Sequence, residues 1–134
     1  MLRVVSLLAM IYALIAMPAF GQSAGVSDAR PSRLDSRFLS QKRDLASVLG
    51  EVHYIRTLCN GKGDQYWRNH MRAFLDIEAA SSSRRRMLVD AFNRGYANLN
   101  SRLDACTPDV AVMEARLSEE GRKLAETIAA GYLQ

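Results

Sequence analysis

Apolar side chains recur along this chain at helical intervals. From Leu45 to Cys59 they fall at Leu45, Val48, Leu49, Val52, Ile55, Leu58 and Cys59. Steps of three and one place such residues in one stripe of a helix and are incompatible with a strand. Asn60-Gly61 follows, and either residue can take the left-handed conformation that closes a helix. The spacing predicts a first helix from near Ser40 to Cys59, with Gln41 to Asp44 on a solvated first turn. Gly61 to Asp64 reads as a tight connection, with Asp64 placed to cap a second helix over 65–79. Trp67, Met71, Phe74, Leu75 and Glu78 share one side of that helix. A third helix is predicted from Ser83 to Ala105, striped by Met87, Leu88, Ala91, Phe92, Gly95, Tyr96, Leu99 and Leu103. Gly95 in mid-helix costs up to about 1 kcal/mol relative to Ala, so a neighbouring helix is expected to approach closely there. Thr107-Pro108-Asp109 signals a fourth helix, through about Ala130. Its stripe is Val110, Met113, Leu117, Gly121, Leu124 and Ile128. No segment alternates with period two. The predicted fold is all-α, a small four-helix bundle-like domain over residues 38–134, with enough chain for one core.

The N-terminus has a different pattern. Arg3 is followed by an almost wholly apolar run from Val4 to Met17, then by Pro18-Ala19-Phe20-Gly21. A basic start, a short apolar run and small residues at Ala19 and Gly21 read as a secretory signal peptide over residues 1–21, cleaved before Gln22. The alternative is an uncleaved N-terminal anchor, although the run is short for a membrane span. Residues 22–37 are rich in Ser, Ala, Gly, Asp and Arg, lack periodicity and contain Pro31. They are expected to form a flexible leader.

Export changes the reading of the two cysteines, Cys59 and Cys106. In an oxidising compartment a single pair is expected to bond, whereas two free buried cysteines would suit a cytosolic core. A Cys59–Cys106 bridge would fasten the end of the first helix to the elbow between the third and fourth. In the chain-entropy model a loop of that length is worth roughly 4 kcal/mol. The expected location is the periplasm.

Charge and candidate chemistry add less. The formal charge is +4, or about +3 once Arg3 is removed. The cations are mostly Arg, whose planar forks suit phosphate and carboxylate. Arg84-Arg85-Arg86 is the local cluster, opposed by its position near a helix N-terminus. In the periplasm its partner would be an anionic envelope polymer or lipid surface; nucleic acid is not expected. Tyr66-Trp67-Arg68 combines residue types enriched at binding hot spots, although Trp67 also fits the apolar stripe as a core anchor. Glu51, His53 and Arg56 form a polar group with Glu78 as a candidate buried acid. Glu78 is expected to pair with Arg56 or Arg94, and His53 to lie on a half-exposed face. There is no CxxC, no CxxCH and no recognised metal-ligand spacing, so no metal, cofactor or catalytic residue is expected. Gly61-Lys62-Gly63-Asp64 lacks the spacing of a phosphate loop.

The signal peptide, LGEVHYIRTLCN, YWR at Tyr66 to Arg68, FNRGY at Phe92 to Tyr96, and Cys106-Thr107 together resemble a family of small exported bacterial proteins of unknown function. Its members carry two well-separated cysteines taken to form a disulfide. The resemblance covers about Leu45 to Leu124 and implies a periplasmic location and a Cys59–Cys106 bridge. It implies no activity or substrate. The expected function is a non-enzymatic binding module of the cell envelope, most naturally for an envelope protein, and not an integral membrane protein after signal cleavage. Two alternatives stand beside it. One is a small periplasmic stress chaperone, by fold analogy. The other is an enzyme acting on envelope polymers, using Glu51 or Glu78 with His53.

Overall fold

The computed structural model describes residues 33–133, which form four helices and no strand. These are α1 (Arg33–Asn60), α2 (Tyr66–Glu78), α3 (Ser82–Asn100) and α4 (Pro108–Gly131). The expected signal peptide, and the expected leader up to residue 32, lie outside the described residues.

α1 starts earlier than the spacing predicts. Residues 33–37 are exposed, so they carry no buried stripe from which a helix could be read. They take up the last residues of the expected leader. α3 stops earlier than predicted, at Asn100, and turns where the Arg102 and Leu103 N–H groups donate to the Leu99 carbonyl. This turn carries Cys106 back to Cys59, and the two are disulfide-bonded with Cα atoms 5.0 Å apart. α4 begins at Pro108 after Thr107 in extended conformation, although the Thr107 side chain makes no capping bond. Gly61 takes φ +91° after α1, as the Asn60-Gly61 stop requires.

α1 is the axis of the domain, not one of four equivalent staves. It packs against α2, α3 and α4, whereas the α4 backbone approaches neither α2 nor α3. The predicted stripe is buried at Leu45, Val48, Leu49, Val52 and Ile55, but so are Ala46, Gly50, His53 and Tyr54. A helix enclosed on several sides buries more than one stripe. This corrects the placing of His53 on a half-exposed face: it is 5% exposed. Its ring stacks on Phe92 with centroids 5.7 Å apart and lies equally close to Tyr96.

The tightest seam joins α1 to α3. A Cβ on Gly95 would overlap the Ser47 carbonyl oxygen, and one on Gly50 would overlap the Phe92 carbonyl oxygen. Gly95 therefore serves the close approach its position implies, and Gly50 is its counterpart on α1. Two apolar clusters each draw residues from both of these helices. One is centred on Leu49, Leu88 and Phe92, the other on Val52, Ile55 and Leu99.

Candidate functional site

The four polar residues grouped by sequence are dispersed by the fold. Glu78 is buried, as its stripe implies, but its partner is neither Arg56 nor Arg94. Its carboxylate pairs with the Lys42 ammonium and accepts a hydrogen bond from the Tyr132 hydroxyl at 2.6 Å. Lys42 also donates to that hydroxyl at 3.0 Å and sits 4.0 Å from the Phe38 ring centroid. Lys42 is only 4% exposed, which removes it from the solvated turn expected over Gln41 to Asp44, whereas Arg43 and Asp44 are exposed. The sequence signal was present: Phe38, Lys42, Leu45 and Leu49 are spaced four, three and four, on one helical face.

Arg56 belongs to a different node. Its Nε donates to Asp64 at 2.8 Å, and Glu114 of α4 lies 3.5 Å from its guanidinium. Asp64 also accepts from the Asn60 side chain and from the Tyr66 N–H at 3.1 Å. These hydrogen bonds, Asn60 first and then the Tyr66 backbone, hold its carboxyl below the usual carboxylate range. Asp64 thus supports the start of α2, although Gln65 takes the cap position. Glu51 accepts from Asn98 of α3 at 3.2 Å. Lys42, which holds Glu78, precedes His53 by eleven positions on α1, about 16 Å of helix rise. Glu78 and His53 therefore do not share a substrate site, and the acid–His pairing required for the envelope-polymer enzyme is absent for Glu78.

The three arginines of the expected cluster also diverge, because successive helical residues point about 100° apart. Arg84 reaches toward the Lys42–Glu78–Tyr132 node. Arg85 lies 3.5 Å from Asp76. Arg86 lines a shallow depression with Arg43, Asp90 and Arg94. Ser81 caps α3 by accepting from the Arg84 N–H. No single anion site is formed by Arg84, Arg85 and Arg86.

Tyr66, Trp67 and Arg68 open α2 and separate by role. Trp67 packs against both apolar clusters, and its indole N–H is sealed from solvent with no acceptor. Tyr66 is 52% exposed. It meets Trp67 edge-on at 5.1 Å and His70 at 4.4 Å, forming an aromatic ridge. Arg68 faces the other side of α2, toward α3.

Behind the ridge runs a mostly apolar groove of about 250 Å³. Leu45, Val48, Leu49 and Val52 of α1 form its floor. Trp67, His70 and Phe74 of α2 make one wall, and Leu117, Gly121 and Ala125 of α4 the other. It exists because α2 and α4 both lean on α1 without approaching each other. Sequence periodicity finds its floor residues but cannot show that two helices leave a groove above them. Among the described residues no cluster of His, Cys, Asp and Glu could hold a metal ion, and no helix is long and apolar enough to cross a membrane.

A family model described as a protein of unknown function, DUF2385, matches residues 37–132. No curated protein and no solved structure matches the chain.

Proposed function

The chain belongs to the DUF2385 family of proteins of unknown function, and we propose that it is an exported binding module of the cell envelope that receives apolar side chains of an envelope protein between α2 and α4. The observation that carries this reading is the apolar groove over α1, rimmed by Trp67 and His70. A partner that inserts apolar side chains there removes exposed hydrocarbon from water, worth roughly 25 cal/mol per Å², and helix-in-groove recognition works in this way. Export is supported by the apolar run from Val4 to Met17 and by the disulfide, which an oxidising compartment preserves. Binding is favoured over catalysis because Glu78 and Arg56 are engaged in structural ion pairs and His53 is packed between the Phe92 and Tyr96 rings.

The test is photo-cross-linking in intact cells from a reactive residue at Ser118, on the groove wall. One or two recurrent envelope proteins are expected. Ala125→Arg, which places a charge across the groove at an exposed position, should abolish their capture without changing the melting temperature. Capture that ignores Ala125→Arg would move the interface elsewhere. A broad spread of unfolded proteins, growing under heat or acid, would favour the stress chaperone. Trp67 is a poor probe for this purpose, because its loss would also disturb both apolar clusters.

A further inference from the structure

On its other side α2 borders a second groove, about 500 Å³, whose far wall is α3. Lys62, Arg68 and Arg72 line the α2 side, and all three are exposed. None takes part in an ion pair among the described residues. Arg72 gives one N–H to Asn69 at 3.0 Å. No carboxylate lines the groove. Asp64, whose charge reaches His53, is already held by Arg56 and Asn60, and Asp76 of α2 faces Arg85. The α3 wall, formed by Val89, Phe92, Asn93 and Tyr96, is uncharged, and Met71 and Leu75 extend the apolar surface.

His53 reaches this groove from α1. Its side chain is more than nine-tenths buried, and its Nδ1 is sealed with no partner. Burial first, and the Arg68 charge second, hold its pKa below the ordinary value, against the opposing pull of Asp64. Three uncompensated cations therefore flank an apolar trough that ends on a neutral imidazole. Nothing in the α1–α3 or α1–α2 packing requires those cations, since each is exposed and unpaired. Pockets for small ligands combine an apolar lining with a few convergent polar groups, and Arg forks grip carboxylate and phosphate bidentately.

We infer that the groove between α2 and α3 binds an anionic amphiphile. Its carboxylate or phosphate head is held by Lys62, Arg68 and Arg72, and its apolar body lies on Met71, Leu75, Val89 and Phe92. A free single-chain molecule and a lipid in a bilayer both present such a head, and the recognition chemistry is the same. The site is independent of the groove between α2 and α4, so Ala125→Arg should leave it intact.

The test is calorimetric titration of the protein, as purified from cells, with dodecyl phosphate below its micellar concentration. Dodecyl maltoside and inorganic phosphate serve as the uncharged and tail-less controls. One equivalent of dodecyl phosphate should bind, at least tenfold more tightly than either control. The Arg68→Glu/Arg72→Glu double variant should weaken binding at least tenfold with an unchanged melting temperature. Asn93→Trp, at an exposed position on the α3 wall, should abolish binding by filling the trough without altering charge. Binding should also raise the His53 pKa read by NMR, because an anion beside the ring favours the imidazolium. Equal affinity for dodecyl maltoside, or indifference to both variants, would overturn the site. Sedimentation with phosphatidylglycerol vesicles, lost in the double variant, would assign the head to a bilayer; dodecyl phosphate binding without sedimentation would assign it to a free amphiphile.

Discussion

Lys42 and Glu78 offer the most direct probe of how this small domain is held together. Each side chain is 5% exposed, and together with Tyr132 they join α1, the last residue of α2 and the end of α4. At hydrogen-bond distance and an effective dielectric near 20, a pair of unit charges attracts by about 5 kcal/mol. Desolvating the two ions offsets much or all of that, so the intact pair has little net effect relative to apolar residues of the same size. Removing one partner is different. Glu78→Ala leaves the Lys42 ammonium buried with one hydroxyl and the Phe38 ring, and should cost about 3–5 kcal/mol. Lys42→Met should cost a comparable amount. The Lys42→Met/Glu78→Leu double variant should return to within about 2 kcal/mol of the parent, or exceed it. Urea unfolding followed by circular dichroism measures all three, and the double-mutant cycle gives the coupling. Single losses below about 1 kcal/mol that simply add in the double variant would refute the reasoning. They would mean that water reaches both groups and that the node is a surface pair.

Three further outcomes follow from the same structure. Reducing the Cys59–Cys106 bond, or replacing both cysteines with Ala, should cost about 4 kcal/mol from the 47-residue separation alone; calorimetry should show a melting temperature lower by at least 15 °C, and an unchanged midpoint would mean the reduced unfolded chain is already constrained. Gly95→Ala and Gly50→Ala each improve local helix propensity, yet should destabilise the domain by about 1–3 kcal/mol or more, because the added carbon meets backbone across the α1–α3 seam; unchanged urea midpoints would show that the helices separate without penalty. His53 is held neutral in the fold, so the unfolded chain takes up a proton that the folded chain resists; stability should be full above the unfolded pKa near 6.5, fall as pH drops from there to the lowered folded value, and level off below it. Urea midpoints at several pH values should show that slope, and His53→Phe should reduce it.

Much of the helical framework was legible because amphipathic periodicity is a local property. Leu45, Val48, Leu49, Val52 and Ile55 are spaced as a stripe and are buried as one. Gly95 was legible for a related reason: a glycine that weakens its own helix implies a neighbour that needs the space. What periodicity cannot reveal is how many sides of a helix are covered. His53, Tyr54 and Gly50 lie off the α1 stripe, and their burial depends on α3 crossing at that height. Lys42 illustrates the same limit from the polar side. Its position on the face of Leu45 and Leu49 was readable, but its partner stands 36 residues later on α2, and only the folded chain brings them together. The arginine triplet was conspicuous in sequence and is dispersed in space, whereas Lys62, Arg68 and Arg72 are scattered in sequence and share one groove.

The placing of both grooves beside α2 follows from how that helix is held. α2 is the shortest of the four helices, and its strongest polar ties lie at its ends. The Asp64 node with Arg56 fixes its start, and the Lys42–Glu78 pair fixes its last residue. Between them, Met71 and Leu75 are its buried apolar anchors. Meanwhile the glycines at 50 and 95 draw α3 against α1, and α4 rests on α1 away from α2. A short helix pinned at both ends, on an axis whose other neighbours are committed elsewhere, leaves a trough on each flank. The flank facing α4 is apolar because the α1 core stripe forms its floor. The flank facing α3 is cationic because Arg68 and Arg72, four residues apart, turn the same way. Stability and the two grooves thus come from the same arrangement: the end nodes hold the helix in place, so the surfaces between them need not be buried for the domain to fold.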